Sequence, residues 1–283
     1  MAPEPGIIPV PLPGPPYRMH YWRWGDPNAS RTVLCVHGLT RNGRDFDFLA
    51  EALANDFQVI CPDMPGRGAS EWLKNPLLYN YQTYIVGLQC LLATLQLSQV
   101  RWIGTSMGGI LGMMMANAMP GVIQSLTLND VGCTVAREGL LRILSYAGVR
   151  MAFDCRAEAE AELRRICAPF GIRDEKHWRH FLDHSLYDRI DGKTAFAYDP
   201  AIINGLPQEE LVQDIQLWGL WELVKQVPTL LIRGECSDIL RRDTAQAMQD
   251  THPNLTYYEI AGAGHAPALM AEDQIRTIKN WLG

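Results

Sequence analysis

The sequence predicts an α/β protein: a parallel sheet covered by helices, with a helical lobe inserted into it. Two observations carry this prediction. Short apolar runs alternate with helical patterns over residues 17–130 and again over residues 227–283, and runs that are apolar on both faces are typical of a parallel sheet. Between them, residues 131–226 are charged, helix-prone and rich in aromatics, and they show no clear strand.

The elements follow in chain order. Residues 1–16 hold seven prolines and predict an N-terminal arm that is extended or disordered. Strands are predicted at 17–24, 32–36, 58–61, 100–103 and 123–128, and helices at 46–55, 81–97 and 109–119. After the lobe come strands 228–232 and 255–260, with helices near 243–249 and at 271–281.

The lobe is too long to be an ordinary connection between two strands. A crossover needs one helix and loops of about 2–6 residues. We therefore predict three parts: an arm at 1–16, a core at 17–130 and 227–283, and a helical cap insertion at 131–226. The cap is expected over the carboxyl edge of the sheet, where ligands bind in open α/β folds.

Composition excludes several classes of protein. With 47% hydrophobic and 20% charged residues among 283, the chain is globular, and a net charge of −6 argues against a nucleic-acid surface. Seven cysteines without a C-x-x-C pair favour free thiols in a reducing compartment. The N-terminus lacks a signal-peptide pattern, and the apolar run at 110–119 is too short to span a bilayer. These features predict a cytoplasmic protein with neither nucleic acid nor membrane as a partner.

The most informative run is Gly104-Thr105-Ser106-Met107-Gly108, between an apolar strand and an apolar helix. Strand, G-x-S-x-G and helix form the layout of a nucleophile elbow. The glycines allow strand and helix to approach closely, and the strained turn lifts the Ser106 hydroxyl above the sheet. Ser106 is the predicted nucleophile.

A serine nucleophile needs a histidine base and an acid that orients it. His265 follows strand 255–260 in a glycine-rich loop and is the predicted base. Asp238 follows strand 228–232 and is the predicted acid, because the α/β order is Ser, acid, His. Asp130, directly after strand 123–128, is the alternative acid; otherwise it would be a cap or hinge residue at the entrance to the lobe.

Acyl transfer also needs N–H donors for the oxyanion. The backbone N–H of Met107 is one candidate, at the start of the helix after the nucleophile. The other is expected in the loop after strand 32–36, where Leu39 is the first choice and Thr40 the second. His37 precedes the glycine that shapes this loop and is expected to hold it.

Taken together, these motifs resemble the α/β-hydrolase superfamily. The residues that carry the resemblance are His37-Gly38, the run Asp63-Met64-Pro65-Gly66-Arg67-Gly68-Ala69-Ser70, Gly104 to Gly109, Asp238, and Gly264-His265. The match covers nearly the whole chain outside the arm and the lobe. It implies an eight-stranded, mostly parallel sheet, a helical cap and a Ser-Asp-His triad. Within the superfamily the chain is similar to cofactor-free carboxylesterases and polyester-oligomer hydrolases.

The predicted function is a serine hydrolase that cleaves carboxylic esters of small-molecule or oligomeric substrates, without a cofactor, as a monomer or homodimer. One alternative is a C–C bond hydrolase of β-diketones or ring-cleavage products with the same triad, and another is a weakly catalytic ligand receptor. His177, His180 and His184 could share a helical face, but a polar cap helix explains them better than a metal site.

Overall fold

The computed structural model describes residues 2–206 and 213–283. The first part of the chain contributes six strands and three helices, in the order β1 (Glu4–Val10), β2 (Tyr17–Trp24), β3 (Thr32–Val36), α1 (Asp47–Leu53), β4 (Gln58–Pro62), α2 (Tyr81–Thr94), β5 (Val100–Thr105), α3 (Met107–Ala118) and β6 (Ile123–Asn129). The inserted lobe contains β7 (Thr134–Val135), α4 (Arg137–Ala147), β8 (Ala152–Phe153), α5 (Arg156–Cys167), α6 (Glu175–Asp183), β9 (Leu186–Asp188), β10 (Thr194–Phe196), β11 (Ile215–Gln216) and α7 (Trp218–Val224). The chain ends with β12 (Thr229–Gly234), α8 (Arg242–Thr251), β13 (Leu255–Ile260) and α9 (Glu272–Leu282).

One sheet of eight strands organises the molecule, in the order β1-β2-β4-β3-β5-β6-β12-β13. The strands from β4 to β13 run parallel, while β1 and β2 form an antiparallel margin. Helices cover both faces, as the fold class predicts. Each core strand alternates between two cores: Val33 and Cys35 face one, and Leu34 and Val36 face the other. This explains why the strands read as continuous apolar runs.

The predicted N-terminal arm is partly a strand of this sheet. Residues 4–10 pair with β2, with Glu4 opposite Arg23 and Val10 opposite Tyr17. The prolines were the reason for predicting a separate arm, because proline cannot donate to a sheet ladder. An edge strand tolerates proline, and Pro5 and Pro9 lie in the outermost strand. This segment is the eighth strand.

Residues 131–226, the predicted lobe, contain short strands that the sequence did not predict. β8, β10 and β9 form a three-stranded antiparallel sheet, and β9 and β10 are joined by a turn with Gly192 at φ 79°. β7 and β11 pair where the lobe leaves and rejoins the core, with Val135 opposite Ile215. These two- and three-residue strands are too short to give a periodic pattern. Residues 207–212, within this lobe, lie outside the described residues.

Candidate active site

Ser106 lies on a strained turn between β5 and α3. Its backbone has φ 52° and ψ −115°, a region that residues with a side chain rarely adopt. The glycines make this possible: a Cβ on Gly104 would lie 2.3 Å from the Gly108 oxygen, and one on Gly108 would lie 1.9 Å from the Val36 oxygen. The sequence expectation for the elbow is therefore met in its backbone geometry.

The Ser106 hydroxyl contacts His265, which in turn contacts Asp130. His265 Nε2 lies 2.9 Å from Ser106 Oγ, and His265 Nδ1 lies 2.7 Å from Asp130 Oδ2. Because a carboxylate only accepts hydrogen bonds, Nδ1 carries the proton and Nε2 is left to accept from the serine hydroxyl. The chain of contacts is suited to moving a proton off Ser106.

The structure corrects the expected contact of Asp238. Its carboxylate does not hold the imidazole but accepts two hydrogen bonds from Arg142 on α4, at 2.6 Å from Nε and 2.9 Å from Nη2. Partial burial raises the pKa of Asp238, but the hydrogen bond and charge of Arg142 outweigh it and leave that pKa below its usual value. The carboxylate at the imidazole belongs to Asp130, which the sequence offered as the alternative.

Asp130 is fully buried and held by three donors. The Gly234 N–H donates to Oδ1 at 2.7 Å, and the Ser237 hydroxyl donates to Oδ2 at 2.6 Å, beside the bond from His265. Ser237 also accepts from the backbone N–H groups of Ile239 and Leu240, which fixes its direction. Sequence reasoning missed Ser237, since a serine in a polar turn carries no distinctive signal.

The candidate oxyanion donors lie on either side of the nucleophile. Met107 is the first residue of α3, so its N–H has no acceptor in a preceding helical turn. Leu39 lies with Ser106 and Met107 in the lining of one cleft, and its carbonyl accepts from the buried Arg67 guanidinium at 2.8 Å. The sequence expectation that these two N–H groups bind an oxyanion stays a prediction.

His37 holds the loop that carries Leu39, as expected. Its Nδ1 donates to the Gly38 carbonyl at 2.7 Å, and its Nε2 accepts from the Met64 N–H at 2.9 Å. Burial lowers the pKa of His37 to about 3, so the ring is neutral near pH 7. Met64 lies in the glycine-rich turn after β4, so His37 ties the loops after β3 and β4 together.

Two clefts meet at Ser106. The first, which we call the apolar cleft, has a volume of about 810 Å³ including its mouth, and its wall near the serine is formed by Leu39, Met107 and Ile110. The second, the His265 cleft, measures about 570 Å³ on the same basis and contains His265, Arg41 and Asp45. An ester bond at Ser106 could therefore extend its two halves into environments of different polarity.

The cap histidines contact the core instead of forming a separate polar face. His180 Nε2 donates to the Arg44 carbonyl at 2.9 Å and lies 3.5 Å from Asp47, while His184 Nδ1 donates to the His180 carbonyl. Asp47, His180 and His184 are close enough to share an ion, but Arg44 already donates to the Asp47 carboxylate. We interpret the cluster as the contact of α6 with α1.

The fold and this arrangement together define a class of protein. A strained serine between a parallel strand and a helix, bonded to a histidine that a buried aspartate holds, is the layout of an α/β hydrolase. A model described as the Alpha/beta hydrolase family matches residues 33–277. The chain belongs to this family and is a hydrolase.

Individual proteins are similar over the whole length. The chain is 36% identical to the 3-hydroxybutyrate-oligomer hydrolase of Cupriavidus necator, covering 97% of this chain and 96% of that protein. The solved structure of a Rickettsia typhi protein has a TM-score of 0.91 at 36% identity, and an alpha/beta hydrolase from Novosphingobium aromaticivorans has 0.88 at 34%. Each comparison covers 100% of this chain and 99% of the other. In the part of the chain that the structure describes, no helix combines the length and apolarity needed to cross a membrane.

Proposed function

We propose that the protein hydrolyses carboxylic esters through an acyl-enzyme on Ser106. The observation that carries this proposal is the continuous set of hydrogen bonds from Ser106 through His265 to the buried Asp130. His265 takes the hydroxyl proton as Ser106 attacks the carbonyl carbon, and Asp130 stabilises the imidazolium that results. The N–H groups of Leu39 and Met107 hold the oxyanion.

The second half of the reaction uses the same groups. The imidazolium gives its proton to the leaving alcohol, and His265 then activates a water that releases the acid from Ser106. No cofactor takes part in these steps. The name of the Cupriavidus necator relative supports oligomeric esters of hydroxy acids as substrates, since that protein shares the whole length of the chain.

The Ser106→Ala variant tests this mechanism. We expect turnover of p-nitrophenyl esters to fall by about 10³-fold or more, because the covalent step is lost. A fluorophosphonate should label the wild-type protein once and the variant not at all. Ser145→Ala, which changes an exposed serine on α4, is the matched control and should keep wild-type activity.

The same variant and the same label, with β-diketones added as substrates, separate the alternatives. A C–C bond hydrolase would also lose its activity in Ser106→Ala but would turn over β-diketones faster than esters. A weakly catalytic receptor would be labelled without multiple turnovers. Full ester turnover by Ser106→Ala would show that the mechanism is wrong.

The remaining parts of the proposal concern the setting of the enzyme. We propose a cytoplasmic protein, supported by seven cysteines that are all free, four of which are buried. The pairing of β7 with β11 supports a cap inserted between a core that ends near residue 130 and resumes near residue 227. A monomer or homodimer remains the predicted state of assembly.

A further inference from the structure

A buried arginine lies in the His265 cleft with part of its guanidinium unused. Arg41 is 6% exposed, and its Nε and Nη2 donate to the Asp45 carboxylate. The guanidinium also lies over the Phe181 ring, with Cζ 3.7 Å from the ring centre. Arg41 Nη1 forms no hydrogen bond with any of the described residues. The edge of the guanidinium formed by Nη1 and Nη2 is therefore open to a second acceptor.

The arginine is close to the nucleophile. A Cβ placed on Gly38 would lie 3.7 Å from the Ser106 Cβ and 3.9 Å from the Arg41 Cγ. Gly38 is therefore close to both side chains. Arg41 and Ser106 line the same cleft, and Arg41 and Tyr146 line both this cleft and a smaller recess.

The position of His265 indicates which half of an ester enters this cleft. In the proposed mechanism the imidazolium must give its proton to the leaving oxygen, so the alcohol half lies on the side of His265. His265 lines the cleft that holds Arg41. The acyl half then occupies the apolar cleft, against Met107 and Ile110.

We propose that the open edge of Arg41 binds a free carboxylate on the alcohol half of the substrate. The preferred substrates are then esters whose leaving group is a short hydroxycarboxylic acid. This inference rests on the proposed ester hydrolysis and adds the charge and position of a substrate group. Two parallel N–H groups match the two oxygens of a carboxylate, and Asp45 and Phe181 hold the guanidinium ready.

Asp45 largely neutralises the arginine, so the attraction comes from directed hydrogen bonds more than from net charge. A guanidinium has five N–H groups, and Asp45 uses two of them. Three remain for a ligand. Because the site is buried, these charge-assisted bonds are stronger than they would be in water.

The consequence for an oligomer is cleavage at the ester bond next to the free carboxyl end. Ser106 Oγ forms a bond to the acyl carbon, the bond from that carbon to the alcohol oxygen breaks, and His265 delivers the serine proton to that oxygen. The released product is one hydroxy acid with its carboxylate still on Arg41. Water then frees the shortened acyl chain.

A matched pair of substrates tests the inference in the unmodified protein. The acetyl ester of 3-hydroxybutyrate and its carboxamide share the same ester bond and differ in the free carboxylate. We expect kcat/KM for acetate release to be about 10–100-fold higher for the carboxylate, mostly through KM. Equal values, or a preference for the amide, would overturn the inference.

Variants assign the preference to Arg41. In Arg41→Gln the ratio of kcat/KM between the two substrates should fall toward one, and Arg41→Lys should retain part of it. Arg44→Gln is the matched control, because Arg44 is also partly buried and pairs with an aspartate but does not line either cleft. A wild-type ratio in folded Arg41→Gln would assign the preference to another group and contradict the inference.

Product inhibition gives a second measurement without any variant. Free 3-hydroxybutyrate should inhibit competitively, and its amide should inhibit at least about tenfold more weakly. If Ser106-dependent ester turnover is absent, the proposed function fails. If that turnover is present without a carboxylate preference and without selective inhibition, only the role of Arg41 fails.

Discussion

The Asp130 carboxylate is buried, and its hydrogen-bond partners among the described residues are donors. Three hydrogen bonds reach its carboxylate, from Gly234, Ser237 and His265. Its backbone has φ 57°, an orientation that aspartate adopts more readily than most residues. Through these hydrogen bonds Asp130, at the end of β6, joins the turn after β12 to His265.

Replacing Asp130 by Asn tests its role at the base. The amide would place a donor against groups that already donate, so the imidazole would be held in the wrong tautomer. We expect kcat to fall by about 10³–10⁴-fold with a smaller change in KM. The kinetics of ester hydrolysis by the purified variant give kcat and KM, and its circular dichroism spectrum checks that it is folded.

Asp238→Asn is the variant to compare with Asp130→Asn, because Asp238 is the acid that was preferred from the sequence. It is bonded to Arg142, so its loss should weaken the contact of α4 with the core and leave kcat near the wild-type value. The opposite ranking, with Asp238→Asn the more damaging change, would restore the sequence-based assignment.

The two aspartates show what the sequence could and could not reveal about the site. Both lie between Ser106 and His265 in the chain, and both follow a strand, so the order Ser, acid, His, which was the reason for preferring Asp238, admits either of them. The decisive facts are spatial: β6 lies beside β5 in the sheet, and Arg142 reaches Asp238 from 96 residues away. Ser106 and His265 have signals of their own, local glycines and strand ends, and the structure brings these two side chains into contact.

At the scale of elements, the elbow depends on the contact of α3 with the sheet. Gly108→Ala would place a Cβ 1.9 Å from the Val36 oxygen, a backbone atom at the end of the central strand β3 that cannot easily move. We expect the free energy of unfolding to fall by at least about 3 kcal/mol, measured by urea denaturation.

Gly219→Ala is the control for this substitution. Gly219 lies in α7, and a Cβ there would meet no atom within 4 Å. Alanine favours helix over glycine, so this variant should be as stable as the wild type or more stable by up to about 1 kcal/mol. Similar destabilisation of both variants would argue against the close approach as the cause.

Elements with local signals were predicted well, and those that depend on distant partners were not. The prediction of α2 at 81–97 agrees with the structure apart from its end, since Asn80 caps it and the helix ends at Thr94. By contrast, β1 is rich in proline and exists because β2 offers an edge, and β7 exists because β11 lies opposite it 80 residues later. No local pattern encodes such pairings.

At the scale of the whole molecule, two buried titratable groups, directly after β3 and β4, link stability to pH in opposite directions. Burial lowers the pKa of His37 to about 3 and raises that of Asp63 to about 6. Asp63 accepts from the N–H groups of Gly43 and Ala69, and these bonds only partly offset its burial. Both groups form hydrogen bonds with the loops after β3 and β4.

His37→Gln should become less damaging as the pH falls. Between pH 7 and 5 the unfolded chain protonates His37 but the folded protein does not, so acid favours unfolding of the wild type by roughly 2 kcal/mol through this group. The variant lacks this loss. The difference in unfolding free energy between wild type and variant, from urea denaturation at both pH values, should therefore shrink by that amount.

Asp63→Asn should show the opposite trend and so separates these two groups from general effects of acid. Over the same interval the folded wild type takes up a proton at Asp63, whereas the unfolded chain, with an ordinary aspartate pKa, takes up almost none. Acid therefore stabilises the wild type through Asp63 by roughly 1 kcal/mol, and the variant cannot gain this. The loss of unfolding free energy in Asp63→Asn, relative to the wild type, should therefore grow from pH 7 to pH 5. The corresponding loss in His37→Gln should decline over the same interval. Histidines elsewhere titrate equally in wild type and variants and cancel in each difference, so two deficits that move in the same direction would contradict the pKa shifts on which both predictions rest.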